Sequence, residues 1–254
     1  MTPHLSIITG ASRGLGLALA RALLARGHRV LAISRQPVAL EVPADAELLH
    51  WPVDLADAAP TAARLQSWLR NEYRDPPASA TLINNAGVIS ELAPLSEGES
   101  ADLARALRVG LEAPMLLTSA FLHATAGWAG PRKVLFVSSG LGRRAMAGSA
   151  SYCAAKAGLD HLARALALEE AAKPVGARVV SLAPGVIDTD MQVQLRHADP
   201  ARFTERARFE ALHQQGQLDT PAQAAAKLLA YLERPDFGAN PVADVRDPPA
   251  AVAG

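Results

Sequence analysis

Several short apolar runs, none with a polar residue at every second position, narrow the folds open to this chain more than any other feature. LSIIT (5–9), RVLAIS (29–34), ELLHWPVD (47–54), TLINNAG (81–87), KVLFVSS (133–139) and RVVSLAPG (178–185) read as strands. A strand with one wet face alternates, whereas runs like these need both faces covered, as in a parallel sheet between helix layers. Helical patterns fill the gaps: GLALARALLARG, with Gly27 as a C-cap, then 61–73, about 100–125, and an alanine-rich stretch reaching about 171. Strand–helix alternation with right-handed crossovers predicts a doubly wound α/β fold. Residues 190–219, rich in Gln, Arg and His, break the rhythm and are expected to form a peripheral helical excursion. Thr220-Pro221 then reads as an N-cap followed by Pro at N1, opening a helix to about 233, with a last strand near 242–245. No linker or repeat divides the chain, so residues 1–254 are expected to be one domain.

Charge and cysteine usage exclude several function classes. Lys plus Arg equal Asp plus Glu at 25 each, which gives no electrostatic reason for nucleic acid or an anionic membrane as partner. No apolar run reaches the roughly 20 residues needed to span a bilayer. MTPHLSIITG enters a strand without a signal-peptide core, and Cys153 is the only cysteine, so a cytoplasmic protein without disulfides is expected. The histidines, His197 and His213 among them, lack metal-ligand spacing, so no metal is expected.

ITGASRGLGLA (8–18) sets Gly10, Gly14 and Gly16 between the first strand and the first helix. Glycines there allow a tight turn and a close approach of backbone to phosphate, while the helix N-terminus offers unpaired N–H groups and partial positive charge. The spacing of the first two glycines differs from the usual dinucleotide fingerprint. An NAD enzyme commonly carries an acid at the end of the second strand. Here Ser34-Arg35 stands in that place, with Arg13 inside the turn. Two guanidiniums near the adenosine ribose favour a 2′-phosphate, and NADPH/NADP+ is expected over NAD.

SASYCAAKAGLD (149–160) sets Tyr152 and Lys156 on one helix face, four residues apart, among small side chains. Taken together, TGASRGLG (9–16), NNAG (84–87), Ser139 followed by Tyr152 and Lys156, and PGVIDT (184–189) resemble the short-chain dehydrogenase/reductase family, over about residues 5–190. The resemblance implies a Rossmann-type fold and a catalytic set of Ser139 to position a carbonyl, Tyr152 to protonate it and Lys156 to tune the phenol. It implies cofactor contacts from Gly10, Ser12, Arg13, Gly14, Leu15 and Gly16, then Ser34, Arg35, Asp54 and Leu55. Asn85, Ala86 and Gly87, with Tyr152 and Lys156 and then Pro184, Gly185, Val186, Ile187 and Thr189, complete that set. Asp54 is equally readable as a helix cap, and Thr189 as a turn cap. A tyrosine ordinarily titrates near 10, and the lysine charge together with an oxidised nicotinamide is expected to bring it down.

APGVIDTDMQVQLR (183–196) and ADVRD (243–247) resemble the sepiapterin reductase and benzil reductase branch, which implies a vicinal dicarbonyl or pterin-type side-chain ketone as substrate. Leu141, Met146, Met191 and Leu195 are candidates for an apolar substrate pocket, with 190–219 as a lid. Asp244 is read as a solvated loop acid or an anchor for a substrate amine. Family resemblance also implies a homodimer or homotetramer. Gly110 falls where the family has an asparagine that holds a relay water. Because Pro114 has no N–H, the carbonyl of residue 110 is expected to lack its i+4 partner and to be free for that water. The competing readings are an NADP(H)-binding sensor or scaffold with little turnover, and an NADP-dependent alcohol dehydrogenase working in the oxidative direction.

Overall fold

The computed structural model describes residues 4–249. The chain runs β1 (Leu5–Thr9), α1 (Gly14–Leu24), β2 (Arg29–Ser34), β3 (Glu47–Pro52), α2 (Ala59–Glu72) and β4 (Ala80–Asn84). It continues through α3 (Ser100–Leu107), a π-turn (Arg108–Glu112), α4 (Ala113–Ala124), β5 (Arg132–Val137), α5 (Ala150–Ala171) and β6 (Arg178–Ala183). Last come α6 (Asp190–His197), α7 (Arg206–Gln214), α8 (Pro221–Glu233) and β7 (Val242–Asp244). The seven strands form one parallel sheet in the order β3-β2-β1-β4-β5-β6-β7.

Successive strand residues feed opposite faces, which is why no polar alternation is seen. Ile7, Leu31, Ile33, Leu82, Val134 and Phe136 join Leu65, Leu69, Leu117, Phe121 and Leu159 of α2, α4 and α5 in one core. Ile8, Val30, Ala32, Ile83, Leu135 and Val180 join Leu19, Leu23, Leu228 and Leu232 of α1 and α8 in the other. Thr220 caps α8 as its composition predicts: its hydroxyl accepts from the Gln223 amide, and the Gln223 side chain answers on the Thr220 amide. The third strand stops at Pro52, short of residue 54, where its partner β2 also ends at Ser34.

The helix expected over 100–125 is not uniform. A π-turn interrupts it at Arg108–Glu112, where the Ala113 amide reaches back to the Arg108 carbonyl. Pro114 cannot donate to residue 110, and widening the turn by one residue steps over that gap. The i+4 register on which the expectation for Gly110 was built is thus broken at Arg108, whose carbonyl is taken by the residue five positions on. What Gly110 provides is closeness: a Cβ there would lie 3.1 Å from that of Ala155 on α5.

Phe121 is fully buried between α4 and the sheet, whereas Leu168 on the outer side of α5 is 76% exposed. Phe121→Ala is expected to cost about 3–5 kcal/mol in urea unfolding, and Leu168→Ala less than about 0.5 kcal/mol. Equal losses would contradict this division of core and surface.

Candidate active site

Strand order reverses at β1, whose neighbours are β2 and β4, so the loops after β1 and β4 part and leave a crevice at the carboxyl edge. One hydroxyl joins those loops. Thr9 Oγ1 accepts from the Asn85 amide at 3.0 Å and the Ala86 amide at 2.9 Å, and Asn85 Nδ2 donates back to the Thr9 carbonyl at 2.9 Å. The glycine turn is pressed so closely on this staple that a Cβ at Gly16 would sit 2.2 Å from the Gly10 carbonyl oxygen. Gly10 itself has φ +69°, in the left-handed region that glycine adopts without strain.

Segment 184–189 closes the third side. It is held by a short bridge in which the Asp188 amide donates to the Asp219 carbonyl and the Asp219 amide to that of Val186, each at 2.9 Å. Thr189 Cγ2 would lie 3.5 Å from a Cβ at Gly14. The first-turn amides of α1 receive no side-chain cap. A bare glycine wall, uncapped amides and a helix N-terminus fit the pyrophosphate of a dinucleotide.

Around the end of β2 the expected contacts are placed unevenly. Arg13 is exposed and ion-paired with Asp190. Arg35 is exposed, and Ser12 half-buried. The Ser34 hydroxyl donates to the Gln36 carbonyl at 2.8 Å and lies 3.1 Å from His50 Nε2. Asp54 is not a helix cap, since α2 begins only at Ala59 behind an uncapped Ala58; it accepts from the Ala56 amide at 3.0 Å within a turn and pairs with Arg105. Leu15 and Leu55 are buried in the two cores. Pro184 is buried, Ile187 packs on the α1/α8 core, and Gly185 and Val186 face outward more.

Past the ends of β5 and β4 stand Ser139, Tyr152 and Lys156. Ser139 begins a single 3₁₀ turn (Gly140–Gly142), its Oγ accepting from the Leu141 amide at 3.2 Å. Tyr152 and Lys156 occupy consecutive turns of α5, with the ammonium 5.5 Å from the phenol ring centroid. Lys156 Nζ donates to the Val137 carbonyl at 2.7 Å, and a Cβ at Gly87 would be 3.7 Å from that nitrogen. Burial pulls Lys156 down to about 8, against the pull of the Asp160 carboxylate. Burial also pushes Tyr152 up to about 12, opposed by a hydrogen bond with Ser139. The protein alone therefore does not lower the phenol as expected, because Lys156 is anchored on Val137 and desolvation dominates.

Leu141, Met146, Met191 and Leu195 do come together. They form a third apolar cluster with Leu92, Phe203 and Phe209, separate from both sheet cores and bordered by Ile89 and Cys153. Phe203 was not anticipated; it is 1% exposed and lies against Gly148, ahead of α5. Its neighbour Arg202 ion-pairs with Glu91 and Glu97, fastening the excursion to the loop after β4. The two phenylalanines at 203 and 209, in a stretch rich in Gln, Arg and His, are the signal that marks this cluster. Asp244 is neither solvated nor free. It is 8% exposed and holds Arg246 through both carboxylate oxygens, which depresses its pKa. Asp160 and Thr9 were also missed, because a buried acid and a strand-end hydroxyl leave no periodic trace.

Fold and crevice together define a dinucleotide-binding oxidoreductase of the doubly wound class. A family description of short chain dehydrogenases matches residues 5–200. The chain is 34% identical to a benzil reductase ((S)-benzoin forming) of Bacillus cereus over 91% of its own length and 94% of the relative's. To the sepiapterin reductase of Meriones unguiculatus it is 33% identical, over 95% of each chain. A crystal structure of a short-chain dehydrogenase/reductase from Burkholderia vietnamiensis superposes with a TM-score of 0.65 at 34% identity, covering 98% of this chain and 99% of that one. This chain belongs to the short-chain dehydrogenase/reductase family. Members bind a nicotinamide cofactor and act on small molecules, and the relatives support a carbonyl reductase. Among the described residues no helix is long and apolar enough to cross a membrane.

The depressed Lys156 fixes a sign. Between pH 8 and 10.5 the unfolded chain holds a proton on Lys156 that the folded chain has released, so this residue makes folding more favourable as pH rises there. Lys156→Met removes that slope. The stability of the variant relative to wild type is expected to fall as pH climbs through the window, by up to about 1.4 kcal/mol per pH unit. Parallel stability curves for the two proteins would refute it.

Proposed function

We propose that the protein is an NADPH-dependent reductase of ketones, with vicinal dicarbonyls or pterin-type side-chain ketones as its substrate class. The observation that carries this is the meeting of Ser139, Tyr152 and Lys156 beside an apolar cluster at the mouth of the crevice. Bound NADPH supplies the hydride to the carbonyl carbon. Ser139 Oγ orients the carbonyl oxygen, and the Tyr152 phenol gives that oxygen its proton. Burial pushes this phenol up to about 12, so it is protonated at neutral pH but a weak acid, and the positive charge of Lys156 and of an oxidised nicotinamide would act to bring it down. Lys156, fixed on Val137, presents positive charge to the tyrosinate left behind. Residues 190–219 act as the lid, with Leu141, Met146, Met191 and Leu195 as the apolar lining that excludes water. The similarity to benzil and sepiapterin reductases supports this substrate class.

Arg13 and Arg35 support the choice of NADPH. An exposed ion pair such as Arg13–Asp190 contributes at most about 1 kcal/mol, less than the roughly 1.5–3 kcal/mol of a charged hydrogen bond to phosphate. Arg13 can therefore exchange Asp190 for a 2′-phosphate.

NADPH consumption is to be measured with vicinal diketones, pterin-type ketones, quinones and simple ketones. Turnover is expected on a vicinal dicarbonyl or a pterin-type ketone, falling by about 100-fold or more in Tyr152→Phe and weakening at least about tenfold with NADH. Arg13→Ala and Arg35→Ala are each expected to weaken NADPH binding about tenfold and leave NADH alone. Tight NADPH binding without turnover on any carbonyl would replace this reading with a sensor.

A further inference from the structure

Behind the catalytic face of α5 lies a second, buried polar cluster. Asp160 is 2% exposed and sits one turn after Lys156. Its Oδ1 accepts from Ser138 Oγ at 2.6 Å and from Ser181 Oγ at 2.7 Å. Its Oδ2 pairs with Arg143 Nε at 3.2 Å, and Arg143 Nη2 donates onward to the Ala243 carbonyl at 2.7 Å. One carboxylate thus gathers the end of β5, the middle of β6, the turn after Ser139 and, through Arg143, β7. Contact is tight: a Cβ at Gly142 would lie 2.8 Å from Asp160 Oδ2 and 2.9 Å from the Lys156 carbonyl oxygen.

We infer that Asp160 is a positioning residue of the active site, locking the loop that carries Ser139 onto the helix that carries Tyr152 and Lys156 and placing negative charge one turn behind the Lys156 ammonium. Ser138, its direct ligand, is the residue before Ser139. Displacing a positioned group by about 1 Å costs on the order of 100-fold in rate, so a joint here governs turnover without touching substrate. Cohesion alone does not call for a carboxylate, since well-packed apolar groups replace buried ion pairs with little loss or a gain. Lys156 is faced by Tyr152 and Asp160 on its own helix, by the Val137 carbonyl of β5 and by Gly87 of the β4 loop. Arg143, Ser138 and Ser181 stand on Asp160.

Only the kinetic arm of the test rests on the carbonyl-reductase reading. The chain has four lysines, Lys133, Lys156, Lys173 and Lys227, so ¹³C-lysine labelling gives a sparse spectrum in which Lys156→Met identifies the buried one. In Asp160→Asn the Lys156 midpoint is expected to drop by about one pH unit, with the other three unmoved. On a working carbonyl substrate kcat is expected to fall about 10- to 100-fold while KM stays within about threefold. Arg143→Gln frees the loop but keeps the acid, so kcat falls and the Lys156 midpoint does not. If Asp160→Asn does not fold, Ser138→Ala with Arg143→Gln carries the test through the same loss of kcat. An unmoved Lys156 midpoint in a folded Asp160→Asn, or a kcat within twofold of wild type in the folded variants, overturns the inference. The midpoint is readable even if no carbonyl is ever reduced.

Discussion

All seven strands point the same way, so their carboxyl ends share one edge, where the backbone groups past the last ladder bond need other partners. The site is largely built from the side chains that supply them. Thr9 takes the amides of Asn85 and Ala86, Lys156 takes the carbonyl of Val137, and Ser139 takes the amide of Leu141. Each bond closes a loop and, in the same act, aims a functional group into the crevice. Geometry at this edge is therefore over-determined, and pre-organisation there follows from hydrogen-bond accounting.

Two groups on α5, the buried Lys156 and the half-buried Tyr152, are held where their charged forms are disfavoured. Lys156 is held where its ammonium is penalised, and Tyr152 where its anion is. The structure tolerates this because α5 is otherwise packed from small residues, with Gly158 against Leu111 and Ala155 against Gly110. The helix is gripped on its far side and can carry strained chemistry on the near one, as expected where stability and activity compete.

Most of the layer architecture was legible from sequence. Both-face burial wrote itself into runs such as LSIIT and RVLAIS, and the Thr220-Pro221 cap is a local signal that tertiary contacts had no reason to override. Element ends shifted by a few residues, since a strand stops where its neighbour does. Ser139, Tyr152 and Lys156 come together because their spacing is carried by one strand end and one helix. Phe203 and Asp160 were not legible, because each depends on segments far apart in the chain, while the local Asp244–Arg246 pair forms only once β7 is seated against β6. The π-turn escaped because proline's missing donor admits two remedies, a free carbonyl or a wider turn, and propensity does not choose between them.

That wider turn has a consequence for how the chain can change. One surplus residue at Arg108–Glu112 offsets the phase of α4 from that of α3 by roughly 100° of helix rotation. Leu117 and Phe121 face the sheet only with that offset in place. Keeping all five residues but closing the turn to a regular helix would swing both side chains off the core, whereas losing one residue would close it with both still in place. The surplus residue and the wide turn are therefore coupled: either can be lost together with the other, and only losing the turn alone turns α4 away from the sheet.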